Sequence, residues 1–182
     1  LLIKNNFQKK NLKNNSSKKL SANFKKTIFE VNKNIQSEDK TLSVLSDKFK
    51  FNFKTKDLQK FKKFKTIAVI GMGGSILGSE AINSFLKNKI KKKIYFLDDL
   101  NSKKVLLLKK KEKLSKVLFL IISKSGNTIE TLANSFSLKI IKKNSKNIIL
   151  ISEKGNNSLN SVSKKFNLFH IEHKNFIGGR YS

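Results

Sequence analysis

The stretch KVLFLIISKSGNTIETLANS, residues 116–135, joins an unbroken apolar run to a loop of small polar residues and then to an amphipathic segment. A short apolar run without alternation is typical of a strand that is buried on both faces. Apolar residues at helical spacing after the loop predict a helix. The stretch is therefore predicted to form a strand, a loop and a helix of an α/β protein.

The same pattern recurs at regular intervals from Thr66 to Glu172, and amphipathic stretches separate the apolar runs. Buried strands that alternate with helices indicate a parallel sheet covered on both faces. We predict a doubly wound parallel sheet of five strands in the flavodoxin-like order 2-1-3-4-5, in a domain at residues 66–182. Residues 1–65, which are lysine-rich and loosely helical in spacing, are predicted to form an N-terminal helical extension. The predicted strands are TIAVIG (66–71), KIYFLDD (93–99), KVLFLIIS (116–123), NIILIS (147–152) and NLFHIE (167–172).

The chain is strongly basic, with 40 Lys and Arg residues against 12 Asp and Glu residues and a formal net charge of +28. The lysines are spread along the whole chain and Arg180 is the single arginine, whereas nucleic-acid sites favour arginine for bidentate contacts. Lys, Asn, Phe and Ile are the residues of A/T-rich codons. We therefore interpret most of the charge as codon bias and expect no nucleic-acid partner.

Cysteine is absent, which excludes disulfides and thiolate metal sites. No apolar run approaches the roughly 20 residues needed to span a bilayer. We therefore expect a cytoplasmic protein with no membrane partner. The chain begins with Leu1 rather than Met and stops one residue after GGRY, so we expect it to be part of a longer reading frame.

A glycine-rich loop, VIGMGGSILGSEAI at residues 69–82, follows the first predicted strand. Its glycines allow a tight turn close to a ligand, and Ser75 stands at the position expected of a helix N-cap. Because helix N-termini bind anions, the loop is a candidate anion site. The dinucleotide fingerprint G-x-G-x-x-G fails at Ile76, although Asp98 or Asp99 could still hold a ribose. Glycines that serve only a tight strand-to-helix turn are a third interpretation.

The loop at 123–128, after the third predicted strand, carries three hydroxyls, a glycine and a lysine at the start of a helix. Hydroxyl and ammonium donors together with a helix N-terminus suit a phosphate dianion. In an alternative interpretation, Asn127 is the N-cap of the helix and forms a capping box with Glu130. Loops after strands 1 and 3 of this sheet meet at the topological switch point. The two loops therefore predict one site for a small phosphorylated ligand.

Three motifs, IGMGGSILGSEAI (70–82), ISKSGNTIET (122–131) and GGRYS (178–182), together resemble the glucose-6-phosphate isomerase family of the sugar isomerase (SIS) domain superfamily. The resemblance covers residues 66–182 and implies a SIS-type domain. It also implies a cytoplasmic homodimer that interconverts glucose 6-phosphate and fructose 6-phosphate, with no metal or other cofactor. A non-catalytic sugar-phosphate sensor built on the same domain is the alternative, and the GGRYS motif of the isomerases argues against it.

The resemblance also implies roles for individual residues. Arg180 would stabilise the enediolate, and Glu130 is a possible further site residue. The glutamate base of the family and its ring-opening histidine and lysine lie beyond Ser182, so we expect the isolated chain to be inactive. The residues implied to bind the substrate are Gly74, Ser75, Ser123, Lys124, Ser125, Gly126, Asn127, Thr128 and Gly179.

Overall fold

The computed structural model describes residues 14–38 and 40–178 of the 182-residue chain. The chain divides into two compact units, Leu1–Lys50 and Phe51–Ser182. Residues 51–65 lie within the second unit, whereas the change of sequence pattern places the start of the domain at Thr66. The two units are described separately below.

The described part of the first unit contains a long helix, α1 (Asn14–Ile35), and a 3-10 turn (Thr41–Leu45), and these two elements contact each other. The helix lies where the spacing of apolar residues predicts one. Several large apolar side chains of α1 are exposed, among them Leu20, Phe24 and Phe29. Among residues 18–35, whose side chains the structure describes, none is fully buried, so the apolar spacing alone marks this helix as amphipathic.

The second unit alternates strands and helices along the chain. A short helix, α2 (Thr55–Leu58), and a 3-10 turn (Gln59–Phe61) precede the first strand. The remaining elements, in chain order, are β1 (Thr66–Ile70), α3 (Gly74–Phe85), β2 (Lys93–Leu97), α4 (Ser102–Lys111), a 3-10 turn (Leu114–Lys116), β3 (Val117–Ile122), α5 (Ile129–Ser137), β4 (Ile148–Ser152), α6 (Ser158–Phe166) and β5 (Phe169–Glu172).

The five strands are parallel and form one sheet in the order β2-β1-β3-β4-β5. The predicted fold class and strand order are therefore confirmed. Ile70 of β1 pairs with Leu97 on one side and with Ile121 on the other, so β1 lies between β2 and β3. Of the polar residues that end the predicted strands, Asp98 and Ser123 belong to the loops that follow, whereas those of the fourth and fifth strands lie within β4 and β5. Because β1 and β3 are neighbours, their loops start side by side at the carboxyl edge of the sheet.

Side chains pack on both faces of the sheet, as the unbroken apolar strands predict, although several apolar residues of the second face are only half-buried. Phe119 of β3 is fully buried in the main core on one face, to which α4 and α6 also contribute. On the other face, Phe61 and Phe64 pack against Leu118 of β3. Burial of these two aromatic rings attaches residues 51–65 to the sheet.

Phe119→Ala is expected to lower the free energy of unfolding by about 3–5 kcal/mol, because it removes a buried ring and leaves a cavity. Phe85→Ala is the matched control, since the Phe85 side chain is 88% exposed. The control is expected to change stability by less than about 0.5 kcal/mol. Urea unfolding of both variants measures the difference, and equal losses would contradict the central place of β3 in the core.

Candidate functional site

The loops that follow β1 and β3 lie against each other at the carboxyl edge of the sheet. Gly71 is buried, and a Cβ atom at this position would stand 3.0 Å from the carbonyl oxygen of Ile122. That separation is tighter than a side chain normally tolerates, so glycine permits the close approach of the two chains. The residues expected to bind one ligand, at 74–75 and 123–128, therefore follow two strand ends that lie side by side.

The loop after β1 turns directly into helix α3. The N-cap is Gly73, which has a φ of 53°, and the helix begins at Gly74. Ser75 is the second residue of the helix and donates its backbone N–H to the carbonyl oxygen of Met72 at 3.1 Å. The expectation that Ser75 is the N-cap is therefore wrong, because the positive φ of Gly73 turns the chain into the helix two residues earlier. Gly74 and Ser75 are both half-buried in the first turn.

Ser123, the first residue after β3, is only 2% exposed and holds its own loop closed. Its Oγ accepts a hydrogen bond from the backbone N–H of Gly126 at 3.1 Å and lies 2.9 Å from Oγ1 of Thr128. The backbone N–H of Ser123 donates to the carbonyl oxygen of Ile151 in β4 at 3.0 Å. The Ser123 side chain thus forms hydrogen bonds within its own loop. We call residues 123–128 the hydroxyl loop.

Ser125 and Asn127 are the exposed members of the hydroxyl loop. The Ser125 Oγ accepts a hydrogen bond from the backbone N–H of Asn127 at 3.3 Å. The Asn127 Oδ1 accepts one from the backbone N–H of Ser158, the first residue of α6, at 2.8 Å. The Asn127 side chain therefore joins the hydroxyl loop to a helix that lies further along the chain.

Helix α5 begins at Ile129, and its N-cap is Thr128, whose side chain makes no capping hydrogen bond. The alternative in which Asn127 caps α5 and forms a capping box with Glu130 is therefore wrong, because the Asn127 side chain is bonded to α6 instead. Glu130 is half-buried in the first turn of α5. A carboxylate at this position interacts favourably with the positive end of the helix dipole.

Lys124 connects the hydroxyl loop to the segments that follow β4 and β5. Its Nζ lies 3.7 Å from Oε1 of Glu153, and the backbone N–H of Glu153 donates to the carbonyl oxygen of Lys124 at 2.9 Å. The same Nζ lies beside Gly178, where an added Cβ atom would stand 3.3 Å away. Gly178 is the first residue of the GGRYS motif, and Gly179 and Arg180 lie outside the described residues.

The family of the chain follows from comparison with known proteins. The sequence profile of the family described as phosphoglucose isomerase matches residues 6–182. The chain belongs to this family. Over 158 residues it is 34% identical to the probable glucose-6-phosphate isomerase of Methanococcus maripaludis, a match that covers 82% of this chain and 36% of that protein. Over 86 residues it is 42% identical to the glucose-6-phosphate isomerase of Methanocaldococcus jannaschii, covering 46% of this chain and 21% of that protein.

Solved structures agree with this family assignment. The glucose-6-phosphate isomerase of Chlamydia trachomatis matches with a TM-score of 0.57 and 25% identity, over 68% of this chain and 25% of that chain. A hypothetical protein of Thermus thermophilus matches with a TM-score of 0.58 and 26% identity, over 65% of this chain and 30% of that chain. The family and the SIS-type fold inferred from the motifs are therefore confirmed. The chain spans only part of these relatives, from 21% to 36% of the two curated proteins.

The two aspartates that follow β2 in this phosphoglucose isomerase family member are paired within the chain. The Lys104 ammonium forms hydrogen bonds with the carboxylates of both Asp98 and Asp99. The hydrogen bond from Lys104 lowers the pKa of Asp99, and the backbone N–H of Asn101 also donates to this carboxylate, at 3.0 Å. These contacts hold the start of α4, and none of them favours the alternative in which an aspartate holds a ribose.

Sequence reasoning missed two residues of the site, and both come from the segment after β4. Glu153 pairs with Lys124, and the Asn157 side chain stands beside Gly126. Neither residue is close to the hydroxyl loop in the sequence, so no local motif connects them with it. The Asn-Asn-Ser run at 156–158, just before a helical pattern, could have indicated an N-cap but not its contact with the loop.

His170 of β5 has a hydrogen-bond partner within the chain. Its Nε2 lies 2.9 Å from Oγ of Ser152, and burial lowers the pKa of this imidazole. Within residues 14–38 and 40–178, no group of three or more His, Cys, Asp or Glu residues could hold a metal ion. In the same described part of the chain, no helix has both the length and the apolar character needed to cross a membrane.

Gly126→Ala is expected to destabilise the chain more than Gly73→Ala. Both glycines have positive φ, at 69° and 53°, so each substitution adds backbone strain of about 1–3 kcal/mol. A Cβ at Gly126 would also stand 1.9 Å from Oδ1 of Asn157, whereas a Cβ at Gly73 would meet nothing within 4 Å. Overpacking should cost Gly126→Ala about 1–3 kcal/mol more in unfolding free energy. Denaturant titration of both variants is the measurement, and equal stability would contradict the contact with Asn157.

Proposed function

We propose that this chain carries the phosphate-binding half of a glucose-6-phosphate isomerase, which interconverts glucose 6-phosphate and fructose 6-phosphate. The observation that carries the proposal is the meeting of two polar loops at the ends of β1 and β3, in a chain of the phosphoglucose isomerase family. A ligand in the crevice between these loops would face helix N-termini from both sides. Such a site suits a small phosphate ester better than a dinucleotide. Both loops would contact the same phosphate group, whereas a dinucleotide site needs only one such loop.

The hydroxyl loop has donors available for a phosphate group. Ser125 Oγ accepts a hydrogen bond from Asn127, so its own hydrogen remains for a ligand oxygen. In the Ser123–Thr128 pair, only one of the two hydroxyl hydrogens is used between the partners, and Ser123 is the buried one. If Ser123 donates to Thr128, the Thr128 hydrogen is directed to the ligand. The start of α5 adds backbone N–H groups and the positive end of its dipole.

Arg180 would act at the reacting carbons of the sugar, whereas Lys124 lies in the loop expected to bind the phosphate. The isomerisation moves a proton between C1 and C2 through an enediol, so negative charge develops on adjacent oxygens. A guanidinium has several fixed donors that can hold two such oxygens, whereas an ammonium is a single hydrated charge. Arg180 follows Gly178 by two residues, and Gly178 lies beside the Lys124 ammonium, which supports a role for Arg180 at the same edge.

The proton transfer itself needs a general base, and we propose that it is supplied by a part of the enzyme outside this chain. The match covers at most 36% of the two curated relatives described above, so these relatives have ample further sequence. We propose that the complete enzyme is a cytoplasmic homodimer that uses no metal or other cofactor, and that this chain alone binds the sugar phosphate without turnover.

The first test of this function is substrate binding by the 182-residue chain. Ser125→Ala combined with Thr128→Ala is expected to weaken the binding of glucose 6-phosphate by about 100-fold or more, since each hydrogen bond to a charged group contributes about 1.5–3 kcal/mol. Isothermal titration calorimetry measures the affinity, and Ser161→Ala, on an exposed position of α6, is the matched control. Unchanged affinity in the double variant would place the phosphate elsewhere.

The second test concerns Arg180 and uses the full-length protein. Arg180→Lys is expected to lower kcat about 10- to 1,000-fold, the range for loss of one preorganised charge donor, with a smaller effect on KM. A coupled assay of fructose 6-phosphate formation measures both constants. A kcat close to that of the parent protein would exclude transition-state stabilisation by Arg180. Tight sugar-phosphate binding without any turnover by the parent protein would instead favour the sensor function.

A further inference from the structure

The N-terminus of helix α6 is joined to the hydroxyl loop by two hydrogen bonds. The backbone N–H of Ser158 donates to Oδ1 of Asn127 at 2.8 Å, and the backbone N–H of Leu159 donates to the carbonyl oxygen of Gly126 at 3.0 Å. Helix N-termini leave such N–H groups without partners inside the helix. Here the hydroxyl loop supplies two of the acceptors, so this helix end is used for holding the loop and not for binding an anion.

Asn157, the N-cap of α6, is 8% exposed and makes three separate contacts. Its Oδ1 accepts from the backbone N–H of Asn160 at 2.9 Å, and its Nδ2 donates to the carbonyl oxygen of Glu153 at 2.9 Å. Its side chain also occupies the space beside Gly126 where a Cβ atom would stand. The oxygen and the nitrogen of the Asn157 amide therefore both have hydrogen-bond partners, and this fixed side chain packs against the hydroxyl loop.

The conformation of Gly126 depends on the Asn157 side chain. Gly126 has a φ of 69° and is buried, and its backbone N–H donates to both the carbonyl oxygen and the Oγ of Ser123. Ser125 precedes Gly126, and Thr128 is paired with the same Ser123. A displacement of Gly126 would therefore change the directions of both proposed phosphate donors.

We propose that Asn157 and Asn127 are positioning residues, which use helix α6 to hold the hydroxyl loop in the shape that binds the phosphate. This inference rests on the proposed function and assigns to Asn127 a role different from the ligand contact implied by the motif resemblance. Neither side chain needs to touch the substrate, because each acts through the backbone of residues 126–128. Binding of a sugar phosphate then depends on a helix that follows the next strand of the sheet.

Asn157→Ser separates this role from simple helix capping. Serine is as good an N-cap as asparagine, so α6 should keep its cap, but the shorter side chain loses the contact with Gly126 and the bond to Glu153. We expect this variant to bind glucose 6-phosphate about 5- to 10-fold more weakly by calorimetry, as for the loss of about one hydrogen bond. Asn101→Ser is the matched control, since Asn101 is also an asparagine N-cap, with Oδ1 accepting from Lys103 at 3.0 Å at the start of α4.

A second measurement needs no ligand and so separates failure of this inference from failure of the proposed function. Amide hydrogen exchange at Gly126, read by NMR, is expected to be about tenfold faster in Asn157→Ser and unchanged in Asn101→Ser. Asn127→Ala, at an exposed position, should also speed the exchange, and it serves as the test if Asn157→Ser does not fold. If the parent chain does not bind glucose 6-phosphate, the proposed function fails, and the exchange at Gly126 still tests whether the two asparagines hold the loop. If the exchange at Gly126 is the same in the parent, Asn157→Ser and Asn127→Ala, the positioning role is overturned.

Discussion

The pairing of β3 with β1 on one side and β4 on the other is the constraint on which the rest of the structure depends. The buried side chains of β3 lie at the centre of the core, and parallel pairing requires each connection to cross over through a helix. Pairing on one side sets the ends of β1 and β3 side by side, and pairing on the other side places the end of β4 next to that of β3. The two ladders of backbone hydrogen bonds on β3 therefore organise both the core and the candidate site.

The fold could be predicted from the sequence because few kinds of sheet can hold a strand that is apolar along its whole length. Runs such as 117–122 are typical of strands buried on both faces, and such strands belong to parallel sheets with helices on each side. The starts of the helices could not be predicted as well, because they depend on contacts and backbone angles rather than on local preference. Gly73 starts α3 through its positive φ. Asn127 does not cap α5, because its side chain accepts a hydrogen bond from a backbone N–H of α6.

The residue types of the candidate site could also be predicted, but the direction in which each one faces could not. Ser123 and Ser125 are alike in the sequence, yet the first is buried and bonded within its loop, whereas the second is exposed. A hydroxyl can both donate and accept, so only the fold decides which partner it takes. Glu153 enters the site because β4 pairs with β3, and nothing in the motif at 122–131 encodes that pairing.

The contact between Gly126 and Asn157 links the order of folding to the order of synthesis. A chain grows from its N-terminus at about 5–20 residues per second, so the hydroxyl loop is made before β4 and α6 exist. Until Asn157 and the first turn of α6 have been synthesised, the contacts that hold Gly126 and Asn127 in the native structure cannot form. The conformation of the hydroxyl loop therefore depends on residues that are made well after it.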